Sequence, residues 1–206
     1  RPADQGAFAI FYRGSAFLTP SGYFGREYGT AHHMQYTNQT IAANALLIDG
    51  EGQPYRDVHA IGRIVDWGEK NGVSHVRADL TAAYPMLTRY FRTFRLAGRT
   101  ITVTDALEAE VPVSVTYKLP AVAKPELAGE CAAISREVDG HRVTLTIRPL
   151  IGDLCDLTCT DRFAVDLNAG VPEEYRVTMP VQYHLSWRTA KKCAHTIVVR
   201  YEIGEA

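Results

Sequence analysis

An all-β fold, an antiparallel β-sandwich of many strands with few or no helices, is what this sequence predicts. Three observations carry the prediction. Strand-type runs recur from end to end, turn dipeptides separate them, and the clearest runs have a hydrophobic period of two. In TITVTDAL (100–107) and RVTLTIRP (142–149), Thr and charged residues alternate with Val, Ile and Leu. One face of such a strand is buried and the other solvated. Strands of this kind belong to an antiparallel sandwich, not to a parallel sheet interleaved with helices.

The elements follow in order. GAFAIFY (6–12) alternates aromatic and aliphatic residues, and Arg13-Gly14 turns it into SAFLT (15–19). AANALLID (42–49) is an apolar run stopped by the turn-rich DGEGQ. HAIGRIVDW (59–67), VSHVRADL (73–80), RYFRTFRL (89–96), RTITVTDAL (99–107) and PVSVTYKL (112–119) continue the pattern. Asp139-Gly140 sits between two alternating runs, a strong hairpin signal. QYHLSW (182–187) and HTIVVRYEI (195–203) close the series. LTAAYPMLTRY (80–90) is interrupted by Pro85 and makes at most a turn.

No repeat, low-complexity tract or linker divides the chain, so residues 1–206 read as one domain. A formal net charge of −1 gives no electrostatic case for nucleic acid or an anionic membrane, although a local basic cleft can hide in a neutral total. No apolar run reaches the length of a membrane span. The first residue is Arg, so a processed product or an excised piece is expected. Of the four cysteines only Cys155 and Cys159 are close in sequence, and Cys131 and Cys193 stand alone. A four-cysteine zinc site needs two tight pairs. Buried free thiols are the leading expectation, with one or two disulfides as the alternative.

Residues 21–53 differ from the rest. SGYFGREYGTAHHMQYTNQTIAANALLIDGEGQ holds five glycines, three tyrosines, two histidines and several amides, with little periodicity outside one apolar run. Irregular polar segments on a rigid β scaffold are where binding sites sit. Flat rings for a sugar face and amides for its hydroxyls are the groups a carbohydrate site uses. The candidate substrate-binding residues are His32, His33, Tyr36, Gln39 and Asn44. Each also has a plainer reading: a loop histidine satisfied by backbone, an asparagine closing a turn, aromatics packed on the sheet. His32 and His33 are adjacent, and in an extended segment they would point to opposite sides and not serve one metal.

Three pieces in this order, ADQGAFAIFYRG, SGYFGREYGTAHH and YTNQTIAANALLIDGEGQ, resemble the C-terminal region of the heparinase II/III-like polysaccharide lyases. HVRADLTAAY and RYFRTFRLAGRTITVTDAL continue the resemblance, which thins to generic strands after Leu119. It implies an antiparallel sandwich that in the parent protein packs on a helical toroid domain, with an acidic polysaccharide or oligosaccharide in the cleft between them. It implies β-elimination of uronic-acid-containing polymers, with the carboxylate neutralised and Tyr or His moving the protons. Most of those groups come from the toroid, for which this sequence has no candidate, so no catalytic residue is assigned and the chain alone is expected to be nearly inactive. The resemblance also implies a periplasmic or secreted setting.

Some relatives hold a structural zinc on the sandwich, and the matching positions here are Pro2, Pro20 and Ala43. None of the three can ligate a metal, so neither a metal nor another cofactor is expected. An apolar edge where the toroid would dock is expected to favour a homo-oligomer. Of the arginines in 89–99, Arg89 and Arg95 share a strand face, able to hold a uronate or sulfate, while Arg92 points the other way. His59 and His75 are expected on polar sheet faces, His141 at an exposed hairpin, and His184 and His195 beside late strands without partners. Two other readings stand beside the lyase wall: a non-catalytic carbohydrate-binding or assembly module, and a metalloenzyme using His32 or His33.

Overall fold

The computed structural model describes residues 2–25 and 28–205. Fourteen strands are present among them: β1 Ile10–Tyr12, β2 Ser15–Leu18, β3 Leu46–Ile48, β4 Arg63–Lys70, β5 Val73–Asp79, β6 Arg89–Ala97, β7 Thr100–Val113, β8 Val115–Ala121, β9 Glu126–Ala128, β10 Cys131–Val138, β11 His141–Ile151, β12 Cys155–Thr160, β13 Tyr183–Arg188 and β14 Lys192–Glu205. One sheet has the order β1-β2-β8-β13-β12, with β3 also paired to β8. The other runs β4-β5-β6-β7-β14-β11-β10-β9. The strand pairings are antiparallel, so the all-β sandwich is the fold.

Period two explains the core. Val103 and Leu107 of β7, Leu145 and Ile147 of β11, and Ile197 and Val199 of β14 point inward from the large sheet. Phe17, Leu119, Leu185 and Trp187 meet them from the smaller one. The alternate residues Thr102, Thr104, Thr144 and Thr146 face outward. Asp139-Gly140 closes β10–β11 with both φ angles positive (52° and 77°), the geometry a two-residue hairpin matching strand twist requires. Asn71-Gly72 does the same for β4–β5.

Two strand expectations change. Within 42–49 only Leu46–Ile48 is a strand, because Thr40–Ala42 form a 3-10 turn. His59 lies in an exposed loop and not on a sheet face. The Gly62 N–H is taken by the Gln5 side chain at 3.1 Å, so β4 pairing starts at Arg63. The cysteines are all free, but none is buried: Cys155 and Cys159 share the edge strand β12, which leaves them partly in solvent.

The buried polar groups tie the N-terminal segment to this frame. Arg92 of β6 and Asp105 of β7 are cross-strand partners facing the core, 1% and 0% exposed. Arg92 Nε donates to Asp105 Oδ1 at 2.6 Å and Nη2 donates to Oδ2 at 3.1 Å. Its Nη1 reaches the carbonyls of Gly6 at 2.8 Å and Asn44 at 2.9 Å, and Tyr90 Oη adds a 2.7 Å bond to the same carboxylate. Burial alone pushes the Arg92 guanidinium down, but the Asp105 charge beside it leaves it well above its ordinary value.

A second knot lies next to it. Gln53 accepts from the Gln5 N–H and donates to the Gln5 carbonyl, both at 2.8 Å, and donates to Tyr84 Oη at 3.1 Å. Thr40 Oγ1 donates to the Ala3 carbonyl and accepts from the Gln53 N–H, again at 2.8 Å.

Removing one member of a buried ion pair strands the other charge, at about 3–5 kcal/mol. Arg92→Met is therefore expected to lower unfolding free energy by that order in urea titration. The double variant Arg92→Met/Asp105→Leu should lose less than the sum of the single changes. Additive losses would mean the pair does not act as a unit.

Candidate functional site

The residues predicted to bind substrate lie on one short helical turn and the coil after it. Ala31 and His32 begin the turn, and His33–Thr37 continue it as a single π-helical turn. The segment is not extended as expected. Adjacent side chains on a helix are rotated by about 100°, and this separates the two histidines into different environments.

His32 is fully buried. Its Nδ1 lies 2.8 Å from the Val165 carbonyl, and its ring packs against Tyr36 and Phe163 at 5.1 and 5.0 Å. Tyr36 is buried beside it, its hydroxyl 2.9 Å from Ser21 Oγ and 3.4 Å from His184 Nδ1. Burial raises the Tyr36 phenol to about 12, only partly offset by the Ser21 hydrogen bond. Burial, and then the charge of Lys118, pushes His184 down to about 4. His184 thus has the partner that its sequence position did not indicate. His195 is also buried, 2.8 Å from the Val113 carbonyl.

Asn44 is 1% exposed, and both polar atoms of its side chain are buried without a hydrogen-bond partner. Gln39 is half-buried and donates to the Met34 carbonyl at 2.9 Å, closing the turn. It lines an open cleft of about 550 Å³ with Gln35, Glu51, Gln53, Pro54 and Met86.

His33 alone joins a surface cluster. Its ring lies 5.0 Å from that of Tyr28, which is 79% exposed. The Gly29 N–H donates to Nδ1 at 3.2 Å, and the Asn38 amide nitrogen lies 3.0 Å from Nε2. Asn38 Nδ2 also donates to Tyr55 Oη at 3.4 Å. Arg56 closes the group, donating to Tyr28 Oη at 3.4 Å with its guanidinium 5.1 Å over the Tyr55 ring. Arg56 has φ of 62°, a left-handed conformation that costs a non-glycine residue about 1–2 kcal/mol. Two phenols, an imidazole, an amide and a guanidinium therefore meet at the surface: one cation for an acid group, rings for a sugar face, and proton-carrying groups beside them. Sequence reading missed Tyr28, Asn38, Tyr55 and Arg56. The first two lie inside the unusual segment, and the other pair follows Gln53-Pro54 directly.

A second cleft, about 580 Å³, is lined by Pro2, Asp4, Phe8, Pro20 and Ala43 among others. The three positions that the resemblance assigns to zinc ligands thus converge on one cleft, as residues without a donor side chain. Among the described residues no three His, Cys, Asp or Glu side chains gather closely enough to hold a metal ion. These residues do not fit zinc.

The His184 shift has a stability consequence. A folded value near 4, below the ordinary 6.5, means that the neutral form is favoured by folding. Its contribution is complete above pH 6.5 and is lost as pH falls toward 4, on the order of 3 kcal/mol in all. His184→Gln should flatten the fall in unfolding free energy between pH 7 and 4. A wild-type slope in that variant would place the titration elsewhere.

The heparinase II/III-like C-terminal family matches residues 2–174. No curated protein matches the chain. Among solved structures, a heparinase III gene product superposes with a TM-score of 0.74 at 10% identity, covering 98% of this chain and 30% of its own. A heparan sulfate lyase from Pedobacter heparinus gives 0.69 at 14% identity, covering 100% and 31%, and a further heparinase III gives 0.70 at 11%, covering 98% and 30%. At such identities the superpositions establish the fold, and the chain spans about 30% of the length of these proteins. On the family match over most of its length, the chain belongs to the heparinase II/III-like family, whose C-terminal region it carries.

Proposed function

We propose that this chain is the sandwich region of a protein that cleaves uronic-acid-containing polysaccharide by β-elimination, and that it forms one wall of the substrate cleft. The observation that carries the reading is the convergence of Tyr28, His33, Asn38, Tyr55 and Arg56 on one exposed surface of the family-matching segment. β-Elimination needs the uronate carboxylate neutralised, the C5 proton removed and the leaving oxygen protonated. Arg56 supplies a cation for the first requirement. Tyr28 and His33 are groups of the type that moves the protons.

In this reading His33 and Gln39, of the residues named from sequence, meet the substrate, Gln39 from the cleft that it lines. His32, Tyr36 and Asn44 stand behind them as positioning residues, since each is buried. The rest of the cleft, including a helical toroid as the partner domain, lies outside this chain in this reading. One wall binds a chain-like substrate weakly, and without the opposite wall nothing holds the substrate against Tyr28 and His33.

With heparan sulfate or alginate as substrate, the isolated chain is expected to give no rise in the ultraviolet absorbance of the unsaturated product. It should bind uronate tetrasaccharides weakly in calorimetry, and Arg56→Ala should weaken that binding roughly tenfold, the loss of one charge-assisted contact. Efficient turnover by the chain alone would overturn the wall reading. Unchanged binding in Arg56→Ala would remove the surface cluster from it.

A further inference from the structure

The outward face of the eight-stranded sheet carries a row of basic and polar side chains that the cleft reading does not use. His75, Arg95, Thr102, Arg200 and Arg148 are successive register partners on β5, β6, β7, β14 and β11. Arg95 and Arg148 are exposed and Arg200 is half-buried. Among the described residues none of these three guanidiniums has a carboxylate within ion-pair distance. Other arginines of the sheet and its margin are already held: Arg89 by Glu108 at 3.1 Å, and Arg13 and Arg99 by Glu205 at 3.1 and 2.9 Å.

Arg148 directly opposite Arg200 is the telling feature. Like charges at opposed positions of an antiparallel pair destabilise a sheet, and the acid beside them on this face, Glu202, makes no ion pair with either among the described residues. Glu202, two residues along β14 from Arg200, pairs in register with Thr146 instead. At the other end of the row, His75, Thr93 and Arg95 with Lys70 line a concavity of about 430 Å³.

We propose that this face is a second binding surface, for a uronate- or sulfate-bearing oligosaccharide lying across the strands along the row from His75 to Arg148. Neighbouring strands are about 4.8 Å apart, close to the advance of one pyranose. Arg95 and Arg200, two strands apart, therefore match acid groups on alternate sugars of a disaccharide repeat. Thr93, Thr102 and Thr104 offer hydroxyls between them. A nucleic acid needs a broad basic surface, and here the charge centres on Arg95, Arg200 and Arg148, with Arg77 beside the row and the acids Asp66, 3.0 Å from His75, and Glu202 at its margins. The inference rests on the register and charge of this face and stands apart from the cleft reading.

The test is calorimetry on the whole chain in an Arg56→Ala background, which removes the cleft's cation from the measurement. The probes are a heparin hexasaccharide, an oligoguluronate hexasaccharide and neutral cellohexaose. One or both acidic probes should bind, with affinity falling as salt rises, and cellohexaose should not. The heparin arm alone would assign the face to sulfate; both arms would assign it to acid groups in general. Arg148→Thr should weaken binding roughly tenfold while leaving Tm unchanged or raised, because relief of the Arg148–Arg200 repulsion offsets the substitution. The proposal fails if Arg148→Thr and Arg95→Thr both keep full affinity, if cellohexaose binds equally, or if a single-stranded DNA 12-mer binds as tightly as the acidic sugars. None of these failures bears on the lyase assay or on the Arg56 effect in the wild-type background.

Discussion

The Arg92–Asp105 pair is the constraint on which the placement of the N-terminal segment depends. Two charges removed from water cost several kcal/mol each, and only excellent geometry with full hydrogen bonding compensates. Here the carboxylate takes two bonds from the guanidinium and one from Tyr90. The remaining arginine nitrogen reaches the carbonyls of Gly6 and Asn44, which belong to irregular chain and have no ladder of their own. A buried pair of this kind is weak evidence for net stability. Its effect is on specificity, because it gives two loop carbonyls one place to go.

The adjoining knot of Gln5, Thr40, Gln53 and Tyr84 gives the family-like motif a physical meaning. The residues that made the sequence pattern distinctive, ADQ at the start and the QT and DGEGQ elements after it, bond to one another and not outward. Gln53 is 4% exposed, and its side-chain oxygen and nitrogen are taken up by Gln5 and Tyr84. The motif therefore specifies how residues 3–54 fold onto the sheet. In the proposed reading the chemistry sits on what that folding presents: the turn bearing His33 and the Tyr55-Arg56 pair just beyond Gln53. Changes in the knot should reach a substrate only by loosening these side chains.

The strands were legible because period two is a local signal. Thr102, Thr104, Thr144 and Thr146 face out, Val103, Leu145 and Ile147 face in, and Arg92 lies opposite in sense to Arg89 and Arg95, all as their spacing requires. Asn71-Gly72 was readable by the same rule as Asp139-Gly140. What sequence did not disclose depends on long-range partners. Tyr36 meets His184 across 148 positions, and His32 meets Val165 across 133. The turn at 31–37 has no periodic pattern to announce it, so its histidines read as extended. The surface cluster needed both the turn and the left-handed Arg56 before its five residues became neighbours. The cysteines read as buried because thiols usually are, but β12 lies at a sheet edge and keeps its own pair partly in solvent.

Net charge illustrates the same limit from the other direction. A total of −1 is the sum of separate local arrangements. Glu205 absorbs Arg13 and Arg99 at one corner, Glu108 absorbs Arg89, Asp105 absorbs Arg92, and Asp66 meets His75. Of the sheet arginines without a carboxylate partner, cross-strand register puts Arg95, Arg148 and Arg200 in one line with His75. No spacing rule applied to a single strand could assemble that row, because its members come from four strands between positions 75 and 200. The Arg148–Arg200 opposition works against the sheet, whereas the buried pair organises it. In the proposed reading, an anion spanning both guanidiniums is the simplest object that turns the repulsion into affinity.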